Sequence, residues 1–507
     1  MALTSYIKNV WSDRLNRRFL LCGIGISLVQ FIVFKVLYPY PDFFSDSYSY
    51  LEAAYSRLDV SIWPIGYSKF LWLVHHITRS DTALISIQYL LLQLSLFHLF
   101  FTIRYFYQVG KTTDTILFLF LFVNPLSLYL CNYINSDPLF ASLSIFWLVQ
   151  LIWISKHPRI YQIFIQATLL FLCFTIRNNA YYYPLVAAVF FYFSRQSLVR
   201  RIAGIVMPLL LLVPFIVHTE NEALKKTGTR QFSLFTGWQL ANNALYIYDK
   251  VEVDSNDLLT PQAKELNEIA IGYFRHIKSE AFHEYLDSYV GNYFIRQPEA
   301  PLKTYYNRHY NSPKDTDIVR SWGRASADFE PFGRAIILRH PFTYIQYFIL
   351  PNIGHYFLPP LSHLERYNYG QEKIYPIAAY WFHYPSTKVR CFSYNIQQFL
   401  IIYEALFALF NVYFFWQFIR LLFEKWSKDM PAKQPVEYWL ISLFFLLNFG
   451  FSITTTENIL RYQYVPMVIL LSFSFIIKDW LEKNTVNENE VNSIRSTKQN
   501  IESAGAI

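Results

Sequence analysis

The sequence is poor in charged residues, glycine and cysteine. Asp, Glu, Lys and Arg make up 16% of the 507 residues, against about 25% in a typical soluble protein. Glycine occurs only 15 times, and neither a GxGxxG nor a Walker phosphate loop is present, so a nucleotide-binding fold is not expected. Of the four cysteines, only Cys391 lies away from the apolar runs, which excludes a disulfide scaffold.

Apolar residues are abundant and arranged in blocks. Hydrophobic residues account for 53% of the chain and aromatic residues for 20%, and a helical membrane span needs roughly 20 apolar residues. Ten such runs occur, at about 19–38, 82–106, 114–131, 137–154, 160–176, 180–193, 202–218, 396–422, 437–454 and 459–477. The runs at 160–176 and 180–193 are short, and they could be two spans or one broken hairpin. We interpret them as two spans, because the charge pattern then stays consistent. The fold class predicted is therefore an all-α polytopic membrane protein with ten transmembrane helices.

The basic residues predict the orientation of these spans. If the N-terminus is cytoplasmic, the inner segments carry fifteen Lys and Arg residues: Lys8, Arg14, Arg17, Arg18, Arg104, Lys111, Lys156, Arg159, Arg195, Arg200, Arg201, Arg420, Lys425, Lys428 and Lys433. The short outer segments carry five: Arg57, Lys69, Arg79, Arg177 and Arg461. This is a positive-inside distribution. The net charge of +8 thus reflects membrane orientation, and we expect membrane lipids and no nucleic acid among the partners.

The spans divide the chain into four parts. Residues 1–218 hold spans one to seven, with a long outer loop at 39–81 that should contain two surface helices, one presenting Leu51 and Ala54 and one covering Gly66 to His76. Residues 219–395 are expected to form a mostly helical extracytoplasmic domain, and 396–478 hold spans eight to ten. The polar tail at 479–507 is predicted to be a disordered cytoplasmic segment. The apolar segment 340–360 is broken by Pro351 and Gly354, which favours a surface or re-entrant helix.

Two carboxylates stand just past the end of span one. Asp42 and Asp46 precede the first surface helix, and an ionisable residue near the membrane indicates a functional site. Helix capping is the alternative, because Ser45, Asp46 or Ser49 could each cap that helix, and Ser49 with Glu52 matches a capping box. The spacing alone is compatible with both interpretations.

Three further polar turns lie on the same side of the membrane. Asp137 opens span four, Arg177 and Asn178 separate spans five and six, and Glu457 precedes span ten, which carries Arg461 in its first turn. Asp137 followed by Pro138 is also an ordinary helix start, and an arginine at this depth either pairs with an anion or extends to the headgroups. Because the turns share one side, a helix bundle could gather them around one outer cavity. The histidines match no metal-binding spacing, so no metal ligands are assigned.

These turns resemble a known family. The run from Asp46 to Ala54, followed by Trp63-Pro64-Ile65-Gly66-Tyr67, is similar to the first-loop signature of the GT-C membrane glycosyltransferases, closest to the aminoarabinose transferase and protein O-mannosyltransferase branch. Later turns resemble the same family in the same order: Ser136-Asp137-Pro138-Leu139, Thr175-Ile176-Arg177-Asn178, and Glu457 through Arg461-Tyr462 to Pro466. The resemblance covers both membrane parts. Ser47 stands where many relatives carry a second acid, so Asp42 could replace it or no second acid is needed, and a divalent metal cofactor stays open.

The resemblance implies a glycosyltransferase that uses a polyprenyl-phosphate-linked sugar donor and a glycan, lipid or protein acceptor at the extracytoplasmic side of the plasma (inner) membrane. Asp46 would be the catalytic base, and the substrate-binding residues would be Arg177, Arg461, Asp42, Asp137, Tyr67, Asn178 and Glu457. A carboxylate would take the acceptor proton while cations stabilise the leaving phosphate. One essential carboxylate is compatible with direct displacement and inversion at the anomeric carbon.

Two other function classes stay open from the sequence. A transporter or flippase for lipid-linked saccharides would share an outer cavity with arginines, but it should carry charged residues near mid-span. The spans here have few charged residues: Lys35 lies near the end of span one, and Glu404 lies inside span eight. A polysaccharide polymerase or ligase would also combine many spans with a large outer segment, and it would use a diphosphate-linked donor.

The positive-inside distribution generates a topology prediction. A cysteine placed at Ser255 should react with a membrane-impermeant reagent in intact cells, and one placed at Ser493 should not. Labelling of the tail from outside would contradict a cytoplasmic C-terminus.

Overall fold

The computed structural model describes residues 2–276, 291–311, 317–427, 436–455 and 457–504. The chain is 79% helical, and within these ranges the only extended pairings are two isolated bridges. The predicted all-α class is thus confirmed for the described part of the chain. Lys428 and Lys433, two of the fifteen basic residues assigned to the inner segments, lie outside the described ranges.

The helices are numbered in chain order, and residues 219–395, predicted to be extracytoplasmic, are called the outer segment. The first eleven helices begin before it. They are α1 Ala2–Ser12, α2 Arg14–Leu37, α3 Ser45–Tyr55, α4 Gly66–Ile77, α5 Asp81–Tyr107, α6 Lys111–Phe122, α7 Pro125–Asn132, α8 Asp137–Lys156, α9 Ile160–Ile176, α10 Tyr183–Phe193 and α11 Leu198–Thr227. The rest of the chain forms α12 Thr236–Leu245, α13 Pro261–His276, α14 Tyr293–Arg296, α15 Pro301–His309, α16 Ile318–Arg339, α17 Pro341–Tyr344, α18 Leu350–Phe357, α19 Pro376–Phe382, α20 Ile402–Ser427, α21 Val436–Thr455 and α22 Tyr464–Ala504.

Eight helical segments among the described residues are long and apolar enough to cross a membrane, which indicates a multi-pass membrane protein. They are α2, α5, α6 with α7, α8, α11, Ile396–Phe423, α21 and Leu460–Asn484. The two remaining predicted spans correspond to α9, with 17 residues, and α10, with 11 residues. A helix of 11 residues is only about 16 Å long, about half of the apolar thickness of a bilayer. The structure therefore supports eight full-length spans, and the count of ten is not confirmed.

The first outer loop holds two helices, as predicted. The second, α4, covers Gly66 to Ile77. The first, α3, buries Leu51 and Ala54, whereas Tyr55 is exposed. Both buried residues pack into the main apolar core formed by the spans, so α3 is anchored on the bundle.

The outer segment contains a second apolar core. Residues from Trp238 to Phe348 form it, mainly from α12, α13 and α16. By contrast, residues from Tyr356 to Val389 pack into the main core of the membrane bundle. The last part of the segment 219–395 thus packs on the bundle, where it buries large aromatic rings such as Tyr367 and Trp381.

The segment 340–360 is helical but not continuous. It comprises α17, a π-helical turn at Ile345–Ile349 and α18. The helix α18 packs against α20 and α21, and Phe342 and Leu350 are exposed. This arrangement matches a surface or re-entrant helix, as expected from the interruptions.

The tail, for which the composition predicts disorder, continues the helix of span ten. The helix α22 runs from Tyr464 to Ala504, and residues 505–507 lie outside the described residues. The tail has no proline or glycine before Gly505, so nothing in it terminates the helix that span ten begins. An ion pair between Lys478 and Glu482, four residues apart, supports the continuation.

The crossing of α12 and α16 depends on glycine. A Cβ atom at Gly237 would lie 1.7 Å from the carbonyl oxygen of Ser326, and one at Gly333 would lie 2.4 Å from the carbonyl carbon of Leu240. Only hydrogen fits at these two positions, so the helix axes approach closely and the second core closes around Trp238.

This contact predicts opposite effects for the same substitution at two sites. Gly237→Ala should lower the stability of the outer segment by about 1–3 kcal/mol or more through overpacking. Gly272→Ala in α13, where a Cβ atom would meet nothing within 4 Å, should raise it by about 0.5–1 kcal/mol. Thermal unfolding of the full chain in detergent measures both, and equal effects would contradict the close crossing.

Candidate functional site

Four polar turns meet at one end of the helix bundle. Asp46 lies in the first turn of α3, and Asp137 is the first residue of α8. Arg177 directly follows α9, and Arg461 lies in the turn Leu460–Gln463 just before α22. The sequence predicted that these residues share a side, and the structure brings all four into one connected cluster of ion pairs.

Asp137 is shared by the two arginines. Its Oδ1 contacts Nη1 of Arg177, and its Oδ2 accepts a hydrogen bond of 2.9 Å from Nη1 of Arg461. Asn135 donates a further bond of 2.7 Å to the same Oδ2. Asp137 and Arg461 are 5% and 6% exposed. A buried carboxylate between two guanidinium groups leaves one positive charge in excess, so this triad attracts a further anion.

Asp46 is the anion closest to that excess charge. Its Oδ2 lies 3.7 Å from Nη2 of Arg461, and Ser45 donates a hydrogen bond of 3.3 Å to its Oδ1. Its side chain keeps about a fifth of its surface exposed. Asp46 does not cap α3 with its side chain; instead Ser47 Oγ accepts the backbone N–H of Phe44 at 3.1 Å. The carboxylate is therefore free for another role.

The pKa of Asp46 lies above its ordinary value. Burial is the largest cause, and Glu457 adds to it, whereas the positive charges of Arg461 and Arg296 act in the opposite direction. A carboxyl group with a raised pKa is a stronger base when deprotonated. Perturbed groups of this kind cluster at functional sites.

Aromatic rings fix the guanidinium planes. The ring of Tyr462 lies 4.4 Å from the guanidinium carbon of Arg177 and 4.8 Å from that of Arg461. Phe44 covers Arg461 from another direction at 4.8 Å. Stacking and ion pairing together hold both groups in one orientation.

The Pro-x-Gly-Tyr turn has a structural role here. A Cβ atom at Gly66 would lie 2.7 Å from the backbone oxygen of Thr175, so glycine lets the start of α4 contact the end of α9 next to Arg177. Tyr67 is fully buried and donates a hydrogen bond of 2.7 Å to Gln88. It packs against Tyr50, whose hydroxyl lies 3.1 Å from Ser136 Oγ. Tyr67 thus supports the site and makes no ion pair in it.

Asp42 is separate from the arginine cluster. It is 2% exposed, and its Oδ1 accepts the backbone N–H of Asn368 at 2.8 Å. Its backbone pairs with Asn132 and Ile134. Burial, the largest cause, raises the pKa of Asp42 to about 7. These contacts indicate that Asp42 joins the start of the first outer loop to the segment around Asn368.

Of four further residues near the site, the sequence predicted one, Glu457, and missed three. Glu457 was expected to bind substrate, and the structure pairs it with Arg296 of α14, whose Nη2 lies 3.1 Å from Oε2. Arg296 and Tyr369 come from the outer segment and act electrostatically on Asp46. His363 stacks on Phe44 at 5.0 Å. No local motif marks Arg296, Tyr369 or His363, because their position depends on how the outer segment folds back.

Two cavities flank α3. The first, called the arginine cavity, has a volume of about 290 Å³ and includes Arg177, Asn178, Tyr462, Tyr50 and Trp63 in its lining. The second, called the serine cavity, has a volume of about 740 Å³, and α3 lines it with Ser45, Tyr48, Ser49 and Glu52 among others. Both volumes are in or near the usual range of small-molecule sites, roughly 300–1,000 Å³.

The linings differ in charge. Arg177 is the one charged residue among those that line the arginine cavity, and the neutral polar groups around it include Asn178, Gln239 and Asn243. The serine cavity has Glu52 and the pair Lys226–Asp317, whose charged atoms are 2.6 Å apart. An anion is therefore favoured in the first cavity and a neutral, hydroxyl-rich molecule in the second.

Among the residues that the structure describes, no group of three or more His, Cys, Asp or Glu side chains could hold a metal ion. The divalent metal left open by the sequence thus has no assigned ligands. Comparison with protein-family models, curated proteins and solved structures gives no match. The function must therefore be argued from the site itself.

The burial of Asp42 generates a pH prediction. Its pKa is about 7 in the folded chain and about 3.9 when unfolded, so the folded state binds more protons between these values. Stability should then decrease as pH rises from about 4 to 7. Asp42→Asn should remove this contribution, and melting temperatures of the two proteins across this pH range would measure it. Parallel curves would contradict the burial of an ionisable Asp42.

Proposed function

We propose that this protein is an integral membrane glycosyltransferase of the GT-C type. It transfers a sugar from a polyprenyl-phosphate donor to a hydroxyl group of a glycan, lipid or protein acceptor on the outer face of the plasma (inner) membrane. The observation that carries the proposal is the juxtaposition of a partly exposed carboxylate with a raised pKa, Asp46, and a buried guanidinium, Arg461, at 3.7 Å.

The reaction needs one base and a cationic site. Asp46 accepts the proton of the acceptor hydroxyl while the acceptor oxygen forms a bond to the anomeric carbon. The bond between that carbon and the phosphate oxygen breaks, and its electron pair leaves with the polyprenyl phosphate. Arg177 and Arg461 stabilise the negative charge that develops there. A single displacement from the opposite face inverts the anomeric carbon.

The two cavities fit the two substrates. The phosphate of the donor is assigned to the arginine cavity, where Arg177 is exposed to a ligand and Phe451 and Thr455 at the end of α21 place the mouth next to a membrane span. The acceptor is assigned to the serine cavity, which reaches Asp46 through Ser45. A lipid-phosphate donor carries its own leaving group to the bilayer surface, so no nucleotide-binding domain is required.

A transporter or flippase for lipid-linked saccharides is the second candidate. The same arginines would bind its cargo, but Asp46 would not need to accept a proton. A polymerase or ligase would differ in using a diphosphate-linked donor. The role of Asp46 and the identity of the lipid that accumulates without the protein therefore separate the three.

The test replaces the proposed base. Asp46→Asn keeps the side-chain shape but cannot accept a proton, so transfer should fall by a factor of about 100 to 10,000. Cells lacking the protein should accumulate a polyprenyl-phosphate sugar, and Asp46→Asn should fail to clear it although it is expressed at the wild-type level. Lipid extraction followed by mass spectrometry measures the accumulation.

Asp42→Asn is the matched control, since it has the same chemistry four residues away but lies outside the arginine cluster. It should clear the lipid nearly as well as the wild type. A well-expressed Asp46→Asn protein with full activity would eliminate the catalytic assignment. Inactive Asp42→Asn beside active Asp46→Asn would move the base to Asp42.

A further inference from the structure

The site contains a third guanidinium group, which belongs to the outer segment. Arg296 ends α14, a short helix whose other three residues, Tyr293 to Ile295, are buried in the second apolar core. Its Nη2 lies 3.3 and 3.1 Å from the two carboxylate oxygens of Glu457. Glu457 stands four residues before Arg461 in the chain. The pair therefore joins the outer core to the turn that carries Arg461.

The ion pairs Arg461–Asp137 and Arg296–Glu457 differ in how readily they break. Arg461 and Asp137 each keep 5% of their side-chain surface exposed, whereas Arg296 keeps 37% and Glu457 keeps 11%. Breaking a buried pair leaves a charge without solvation and is strongly unfavourable. The cost is smaller for Arg296–Glu457, because water can solvate the partly exposed guanidinium when the pair opens. An entering anion should therefore displace Glu457 from Arg296 and leave the Arg461–Asp137 pair intact.

Charge balance leads to the same conclusion. The three arginines Arg177, Arg461 and Arg296 face three carboxylates, Asp46, Asp137 and Glu457. A phosphate that enters this balanced cluster gains a cation only if one carboxylate gives up its partner or becomes protonated. Asp137 is held by two arginines and by Asn135. Asp46 is the proposed base and has to stay beside Arg461 for the reaction. Glu457 is therefore the carboxylate that can give up its partner.

We propose that Arg296 is a third phosphate-binding residue and that Glu457 occupies its guanidinium until the polyprenyl phosphate arrives. This inference rests on the proposed function, because it deepens the description of the donor site. Phosphate binding then exchanges the Arg296–Glu457 ion pair for an Arg296–phosphate ion pair, with no covalent change. The second core thereby contributes directly to donor binding, and Glu457 competes with the phosphate.

Opposite effects of the two single substitutions test this proposal. Binding of a polyprenyl phosphate to the full chain in lipid nanodiscs would be measured, with the uncharged polyprenol of equal length as reference. Arg296→Gln should weaken phosphate binding about tenfold or more, because it removes a charge-assisted contact. Glu457→Gln should strengthen it several-fold, because it removes the competitor. Neither should change polyprenol binding, and Arg296→Lys should recover part of the affinity.

A purely structural latch gives a different pattern. Both substitutions break the same pair, so both would then change phosphate binding in the same direction or not at all, and either result would overturn the proposal. Arg308→Gln is the matched control, since Arg308 pairs with Glu265 at 3.1 Å elsewhere on the outer segment; it should leave affinity unchanged. Melting temperatures would show that all variants fold.

A separate arm distinguishes this inference from the proposed function. Arg177→Gln should weaken phosphate binding if the arginine cavity takes the donor. If Arg177→Gln has no effect, the donor assignment itself fails. If it weakens binding while Arg296→Gln does not, the donor assignment stands and only the role of Arg296 is wrong.

Discussion

The two arginines that share Asp137 connect segments that are far apart in the chain. Asp137 begins α8, Arg177 follows α9 and Arg461 precedes α22, so the charges fix the relative height of three helices at one end of the bundle. Removing Asp137 would leave two cations close together in a buried setting, which is strongly unfavourable. The position of Asp46, the stacking of Tyr462 and the wall of the arginine cavity all depend on this shared carboxylate.

The outer segment adds residues to the site that the membrane bundle forms. Its own core of α12, α13 and α16 is closed by glycine at a tight helix crossing, while its last part packs on the bundle. Arg296 therefore approaches the cluster from a rigid support. The proposed catalytic group lies on α3, which packs on the bundle, and the groups that surround it come from both cores.

Much of this arrangement could be predicted from the sequence. The apolar runs predicted ten spans, and eight of them correspond to helical segments long enough to cross a membrane. The common sidedness of the turns indicated that a bundle could gather Asp46, Asp137, Arg177 and Arg461, as the structure does. The sequence could not show that α10 is too short to span, since a short buried helix and a membrane span have the same apolar composition. Asp42 and Asp46 look equivalent in sequence, and their tertiary contacts separate them: Asp42 accepts the backbone N–H of Asn368, whereas Asp46 lies beside Arg461. Arg296 was missed because its place depends on tertiary packing of a segment without a local motif.

The position of Arg461 has a consequence for biosynthesis. A membrane protein chain emerges N-terminus first, and Arg461 lies in the turn Leu460–Gln463 just before α22. Until that turn has been made and has joined the bundle, Asp137 has only Arg177 as its cationic partner and Asp46 lacks the guanidinium beside it. The charged cluster can thus be completed only after the chain has grown 324 residues past Asp137 to reach Arg461, so a chain released before that point carries the proposed base without the cation that it works with.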